Sequence, residues 1–71
     1  MNTKEFKVEM IRHDDTISSL AEYLELSHTT VQRKISGLIN FKQDEMAKLK
    51  TRYGMSNERF VEVFYGEEVK V

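Results

Sequence analysis

Residues 16–37 read Thr16-Ile-Ser-Ser-Leu-Ala-Glu-Tyr-Leu-Glu-Leu-Ser-His-Thr-Thr-Val-Gln-Arg-Lys-Ile-Ser-Gly37. Two short helical patterns share this run. In the first, from Ile17 to Leu24, the apolar Leu20, Ala21 and Leu24 fall on one face, and Thr16 stands where an N-cap is needed. In the second, from His28 to about Ser36, Val31 and Ile35 are four residues apart and Ser27 takes the capping position. Gly37 follows where a left-handed C-cap favours a residue without a Cβ. Glu25 and Leu26 leave only a very short turn between the two. Leu20, Ala21, Leu24, Leu26, Val31 and Ile35 therefore form one small core between steeply crossing helices, and the small Ala21 allows the close approach.

The other face of the second helix is polar. His28, Thr29, Gln32, Arg33 and Ser36 lie opposite Val31 and Ile35, and no Asp or Glu occurs from Ser27 to Lys42. A helix that enters a DNA groove must keep carboxylates away from phosphate and carry side chains that bond base edges. A solvated amphipathic helix is the plain alternative; the tight turn and the acid-free stretch shift the weight toward recognition.

Outward from this unit the pattern predicts three more helices. One spans about Thr3 to His13, with Phe6, Met10 and Ile11 as its apolar face, Thr3 as cap and Asp14-Asp15 as its end. Another runs from about Gln43 to Arg52, with Met46 and Leu49 inward, joined by Tyr53 and stopped by Gly54. Phe41 anchors the connector before it. The last runs from about Asn57 to Tyr65, capped by Ser56, with Phe60, Val63 and Phe64 apolar. The fold class expected is all-α: one compact domain over residues 1–66, with residues 67–71 as a flexible tail.

The chain has 71 residues, no cysteine, no proline and a net charge of −1. A domain of this size buries only about 60% of its unfolded surface, and no disulfide or thiolate metal site staples it. No apolar run is long enough for a bilayer and no signal peptide is evident, so a cytoplasmic protein with no membrane association is expected. The charge is unevenly spread. Residues 1–26 carry three Lys or Arg against six Asp or Glu, residues 27–59 seven against three, and residues 60–71 one against three. A basic middle thus sits between acidic ends, which favours an encounter with phosphate despite the overall sign. His13 and His28 are the only histidines and lack metal-ligand spacing. Asp14-Asp15 reads as a helix end, and there is no phosphate loop or nucleophile motif. A non-enzyme with no catalytic residue, metal or cofactor is expected. Phe60, Val61, Phe64 and Tyr65 crowd the last helix on more than one side, so part of this apolar surface is available for a homodimer contact.

The quoted run resembles the helix-turn-helix of the Cro/repressor (Xre-type) family, which reads roughly T-Q-x-x-L-A-x-x-L-G-[IV]-S-x-x-T-V-S-R-[KI]-[LI]-x-G. The likeness continues through Asn40-Phe-Lys-Gln-Asp-Glu-Met-Ala-Lys-Leu49 and Met55-Ser-Asn-Glu-Arg-Phe-Val-Glu-Val-Phe64, and so covers nearly the whole chain. It implies a five-helix lambda-repressor-like DNA-binding domain. By position, His28, Thr29 and Arg33 would read bases, with Gln32 nearby and Arg33 suited to a bidentate contact with guanine. Ser27, Asn40 and Lys42 would touch phosphate. Lys34 would do likewise, or else lay its stem along the core; Thr30 is either a reader or a packing residue at the helix start. Two positions depart from the pattern. Ile17 replaces a glutamine that meets phosphate in relatives, and Glu25 replaces the turn glycine, which implies a positive φ on a residue with a Cβ.

Two functions follow from the resemblance. One is a Cro-like regulator of the lysis-lysogeny switch of a temperate bacteriophage, acting in the bacterial host cytoplasm on double-stranded operator DNA. The other is a modulator of repression, or antirepressor, which binds the partner phage repressor and masks its DNA-binding face. Ile17, Glu25 and the acidic ends favour the second.

Overall fold

The computed structural model describes residues 1–66, which form five helices and no strand: α1 (Thr3–Arg12), α2 (Ile17–Leu24), α3 (His28–Ile35), α4 (Gln43–Tyr53) and α5 (Asn57–Phe64). The tail expected at residues 67–71 lies outside the described residues.

The helix starts follow local side-chain chemistry. Thr16 Oγ1 accepts the Ser19 N–H at 3.1 Å while Ser19 Oγ accepts the Thr16 N–H at 2.9 Å, a reciprocal capping box. Ser27 and Ser56 accept the amides of Thr30 and Arg59 in the same way. At α1 the cap is Asn2, not Thr3: Asn2 is extended and its Oδ1 accepts the Glu5 N–H at 3.1 Å. Thr3 lies inside the helix.

The helix ends share one device. Each of the first four helices ends in a left-handed residue whose N–H, and that of the next residue, return to carbonyls of the last turn. These pairs are Asp14 with Asp15, Glu25 with Leu26, Gly37 with Leu38, and Gly54 with Met55. For example, the Leu38 N–H reaches the Arg33 carbonyl at 2.9 Å and the Gly37 N–H the Lys34 carbonyl at 3.2 Å. Two of the four left-handed positions are glycine. The other two carry Asp14 at φ 53° and Glu25 at φ 56°, where a Cβ meets steric resistance.

Phe6, Leu20, Val31, Leu49 and Val63 are fully buried, with contributions from every helix. Phe6 is the hub: its ring lies 5.2 Å from that of Phe41, 5.9 Å from Phe64 and 6.3 Å from Tyr53. Helix α2 packs on α3, and α1 packs on both α3 and α5. Burying a side chain such as Phe6 stabilises the fold by about 1.5–3 kcal/mol. Ile11, expected on the apolar face of α1, is instead 76% exposed. Five positions from Phe6 lies off that face, whereas the i+3 position belongs to it and is held by the buried Glu9.

Candidate functional site

Helix α3 is oriented by Val31 and Ile35, which are buried against the core, and by its short connection to α2. Leu26, in that turn, is partly buried against the same core. With these residues fixed inward, His28, Thr29, Gln32, Arg33 and Ser36 are exposed along the outer side. The α3 face thus brings His28, Thr29, Gln32 and Arg33 together on one short stretch of surface. Arg33 makes no ion pair with any described carboxylate, so its guanidinium keeps its donors for a partner. Ser27 is exposed, but its hydroxyl accepts the Thr30 N–H at 3.1 Å and donates to Thr30 Oγ1 at 2.8 Å. Both hydroxyls therefore take part in capping the start of α3. Asn40 and Lys42 are exposed on the connector that follows α3.

Lys34 does not join this surface. It is 4% exposed, and its Nζ sits 2.5 Å from Oε1 of Glu45, itself 6% exposed. The Asn40 carbonyl accepts a second bond from Nζ at 3.3 Å. A buried ammonium that has a carboxylate partner has no route to a phosphate. Of the roles weighed for Lys34, phosphate contact is thus overturned, and the stem lies in the core with the charge neutralised there.

The basic middle of the sequence is also changed by folding. Arg52 bonds Asp15 through Nε at 2.9 Å and Nη2 at 2.6 Å, and its guanidinium lies over the Tyr23 ring at 4.5 Å. Arg59 bonds Glu9 at 2.6 Å, Glu5 at 2.8 Å and Glu62 at 2.6 Å. Lys50 bonds the Asn57 side-chain oxygen. Three of the seven cations in residues 27–59 are thus matched by described carboxylates, while Arg33 and Lys42 are exposed and outside every described ion pair. The proton equilibria follow. Arg52 holds the Asp15 carboxyl far below the usual range, and Asp15 raises Arg52 in return. Burial, then the neighbouring Asp15 carboxylate, pushes the Tyr53 hydroxyl far up. Glu9, then Glu5, raises Arg59.

One feature beside α3 was not legible as a surface. Leu38 is 74% and Ile39 41% exposed, on the loop that leaves the helix. Ile39, Phe41, Met46, Phe64 and Tyr65 line a cleft of about 370 Å³ next to it. An apolar pair between Gly37 and Asn40, outside any helical pattern, is the sequence signal for this. Among the described residues no group of three or more His, Cys, Asp or Glu side chains is arranged to hold a metal ion, and no helix is long and apolar enough to cross a membrane.

No family model, no curated protein and no solved structure matches this chain.

Proposed function

We propose that this chain is a helix-turn-helix DNA-binding regulator of the Cro-like kind, whose α3 lies in the major groove of operator DNA. The observation that carries this reading is the α3 face itself: His28, Thr29, Gln32 and Arg33 are exposed together on a helix anchored by Val31 and Ile35, with no carboxylate from Ser27 to Lys42. Arg33 supplies the bidentate guanine contact, and Lys42 and Asn40 meet the flanking phosphates. Ser27 contributes through the amides its cap leaves at the start of α3. As a homodimer the protein would set two such helices about 34 Å apart on a palindromic site. The setting is the genetic switch of a temperate phage, in the host cytoplasm. The role is binding, not catalysis.

Selection from a randomised duplex library tests it. A defined motif is expected, with affinity that falls as salt rises and is lost in Arg33→Ala. Failure to enrich any motif overturns the reading.

A second reading, the antirepressor, is favoured by the surroundings of α3. Glu22 and Glu25 are exposed ahead of α3 in the chain, and Leu38 and Ile39 are exposed after it. A mixed acidic and apolar border of this kind suits a basic DNA-binding face of a repressor better than it suits a phosphate backbone. Size-exclusion chromatography with a co-encoded repressor tests this case: a joint peak supports it and separate elution counts against it.

A further inference from the structure

The connector between α3 and α4 carries two of the residues assigned to phosphate, and it is tied down by one buried group. Its start is fixed by the Leu38 and Ile39 amides, both of which reach the Arg33 carbonyl, at 2.9 and 3.3 Å. Its middle is fixed by Lys34 Nζ, which donates to the Asn40 carbonyl at 3.3 Å. Its end is fixed by Glu45, whose Oε1 accepts the Lys42 N–H at 2.9 Å. The same oxygen lies 2.5 Å from Lys34 Nζ. One ammonium on α3 thus reaches the loop directly at Asn40 and, through Glu45, at Lys42. The ring of Phe41, between these residues in sequence, is buried with its centroid 5.7 Å from that nitrogen. An ammonium has three N–H donors; a carboxylate, a carbonyl and an aromatic face account for them.

A buried ion pair contributes little net stability compared with apolar side chains of the same volume, so its value lies in geometry. Apolar residues would fill the space without fixing the loop's direction. A charged pair with shared hydrogen bonds accepts one arrangement. We propose that Lys34 and Glu45 form a buried latch that sets the Asn40 and Lys42 contacts in register with α3, which makes Lys34 a positioning residue. This rests on the reading of α3 as the DNA-contacting helix.

The test uses the double substitution Lys34→Met with Glu45→Leu, which leaves no unpaired charge. Three quantities are read: the melting temperature, amide hydrogen exchange at Lys42, and affinity for the duplex that the wild-type protein enriches from a randomised library. Near wild-type melting is expected, with Lys42 exchange about tenfold faster and duplex affinity about tenfold weaker. Lys42→Ala is expected to weaken binding several-fold in the wild-type background and hardly at all in the latch-free one, a coupling that a purely structural role would not produce. A folded double variant with unchanged Lys42 exchange, or an equal effect of Lys42→Ala in both backgrounds, overturns the latch. If the library yields no duplex, the DNA reading falls and Lys42 exchange in Glu45→Gln, which keeps an acceptor for that amide, decides the latch. If the double variant does not fold, Glu45→Gln takes its place: it keeps an acceptor for the Lys42 amide but no charge for Lys34, and unchanged exchange in that variant overturns the proposal.

Discussion

Arg52, in the last turn of α4, grips Asp15, the residue before the cap of α2, through two hydrogen bonds of 2.9 and 2.6 Å. The Asp15 side chain is only 2% exposed, and it also accepts the Ser19 hydroxyl at 2.7 Å. The contact joins residues that the sequence separates by 37 positions, and it steadies the start of α2, on which α3 packs.

This pair gives the protein an acid-sensitive limb. The folded carboxyl of Asp15 titrates well below its ordinary value of 3.8. Its contribution is therefore complete above that value and is lost as pH falls through it toward the depressed one. Asp15→Asn is expected to cost about 1–3 kcal/mol at neutral pH and to flatten the decline in melting temperature on acidification. Thermal melts between about pH 2 and pH 7 check both effects.

Glu25 holds a left-handed conformation that favours glycine. Glu25→Gly relieves the steric cost and is expected to stabilise the fold by about 1 kcal/mol, raising the melting temperature by about 4–8 °C. A melting temperature at or below that of the wild type would show that the Glu25 side chain compensates for its backbone.

Gly37 represents the opposite case. Its φ is +83°, and an added Cβ would meet Thr3 Cγ2 of α1 at 3.3 Å. Gly37→Ala is expected to destabilise by about 1–2 kcal/mol. Gly54 has a similar backbone but open space around it. Gly54→Asn, a residue that tolerates this conformation, is expected to cost less, and urea unfolding of the two variants side by side ranks them.

Arg33→Ala separates recognition from stability. The side chain is exposed and outside every described ion pair, so the melting temperature is expected to stay within the small range of surface substitutions. On the proposed reading of Arg33 as the guanine reader, the substitution is expected to weaken binding to the selected duplex by about 1–3 kcal/mol and to relax the preference at one base position. Fluorescence anisotropy against the selected duplex and single-base variants measures this.

Local chemistry made much of the fold readable. Thr16, Ser27 and Ser56 mark helix starts because their hydroxyls meet amides three residues ahead, and Leu20, Leu24, Val31 and Ile35 mark the inner faces through helical spacing. Gly37 and Gly54 announce two of the four left-handed helix ends. Asp14-Asp15 marks the end of α1 as an acidic turn, and Glu25 stands where the resemblance puts a left-handed residue, although an acidic residue adopts that conformation only where neighbouring packing imposes it. The partners of Arg52 and Arg59 were out of reach for a different reason. Arg59 meets Glu9 and Glu5 across 50 and 54 positions, and periodicity says which face a residue occupies, not which face it meets. Lys34 illustrates the limit at the site. Its position on α3 resembles that of a surface cation, and only the placement of Glu45 and Phe41 draws it inward. The exposed α3 residues followed from Val31 and Ile35 alone.

The union of α1 with α5 also sets the order in which the molecule becomes whole during synthesis. Phe6 is made well before Phe64, one of its ring neighbours. Glu9 awaits Arg59, and the Asn2 amide awaits the Val63 carbonyl, 2.9 Å away in the finished protein. While the ribosome still holds α5, α1 lacks the surface that closes over it, and the buried carboxylate lacks its guanidinium. The α2–α3 unit then stands on an unfinished base. The base beneath α3 is therefore complete only once α5 has closed over α1.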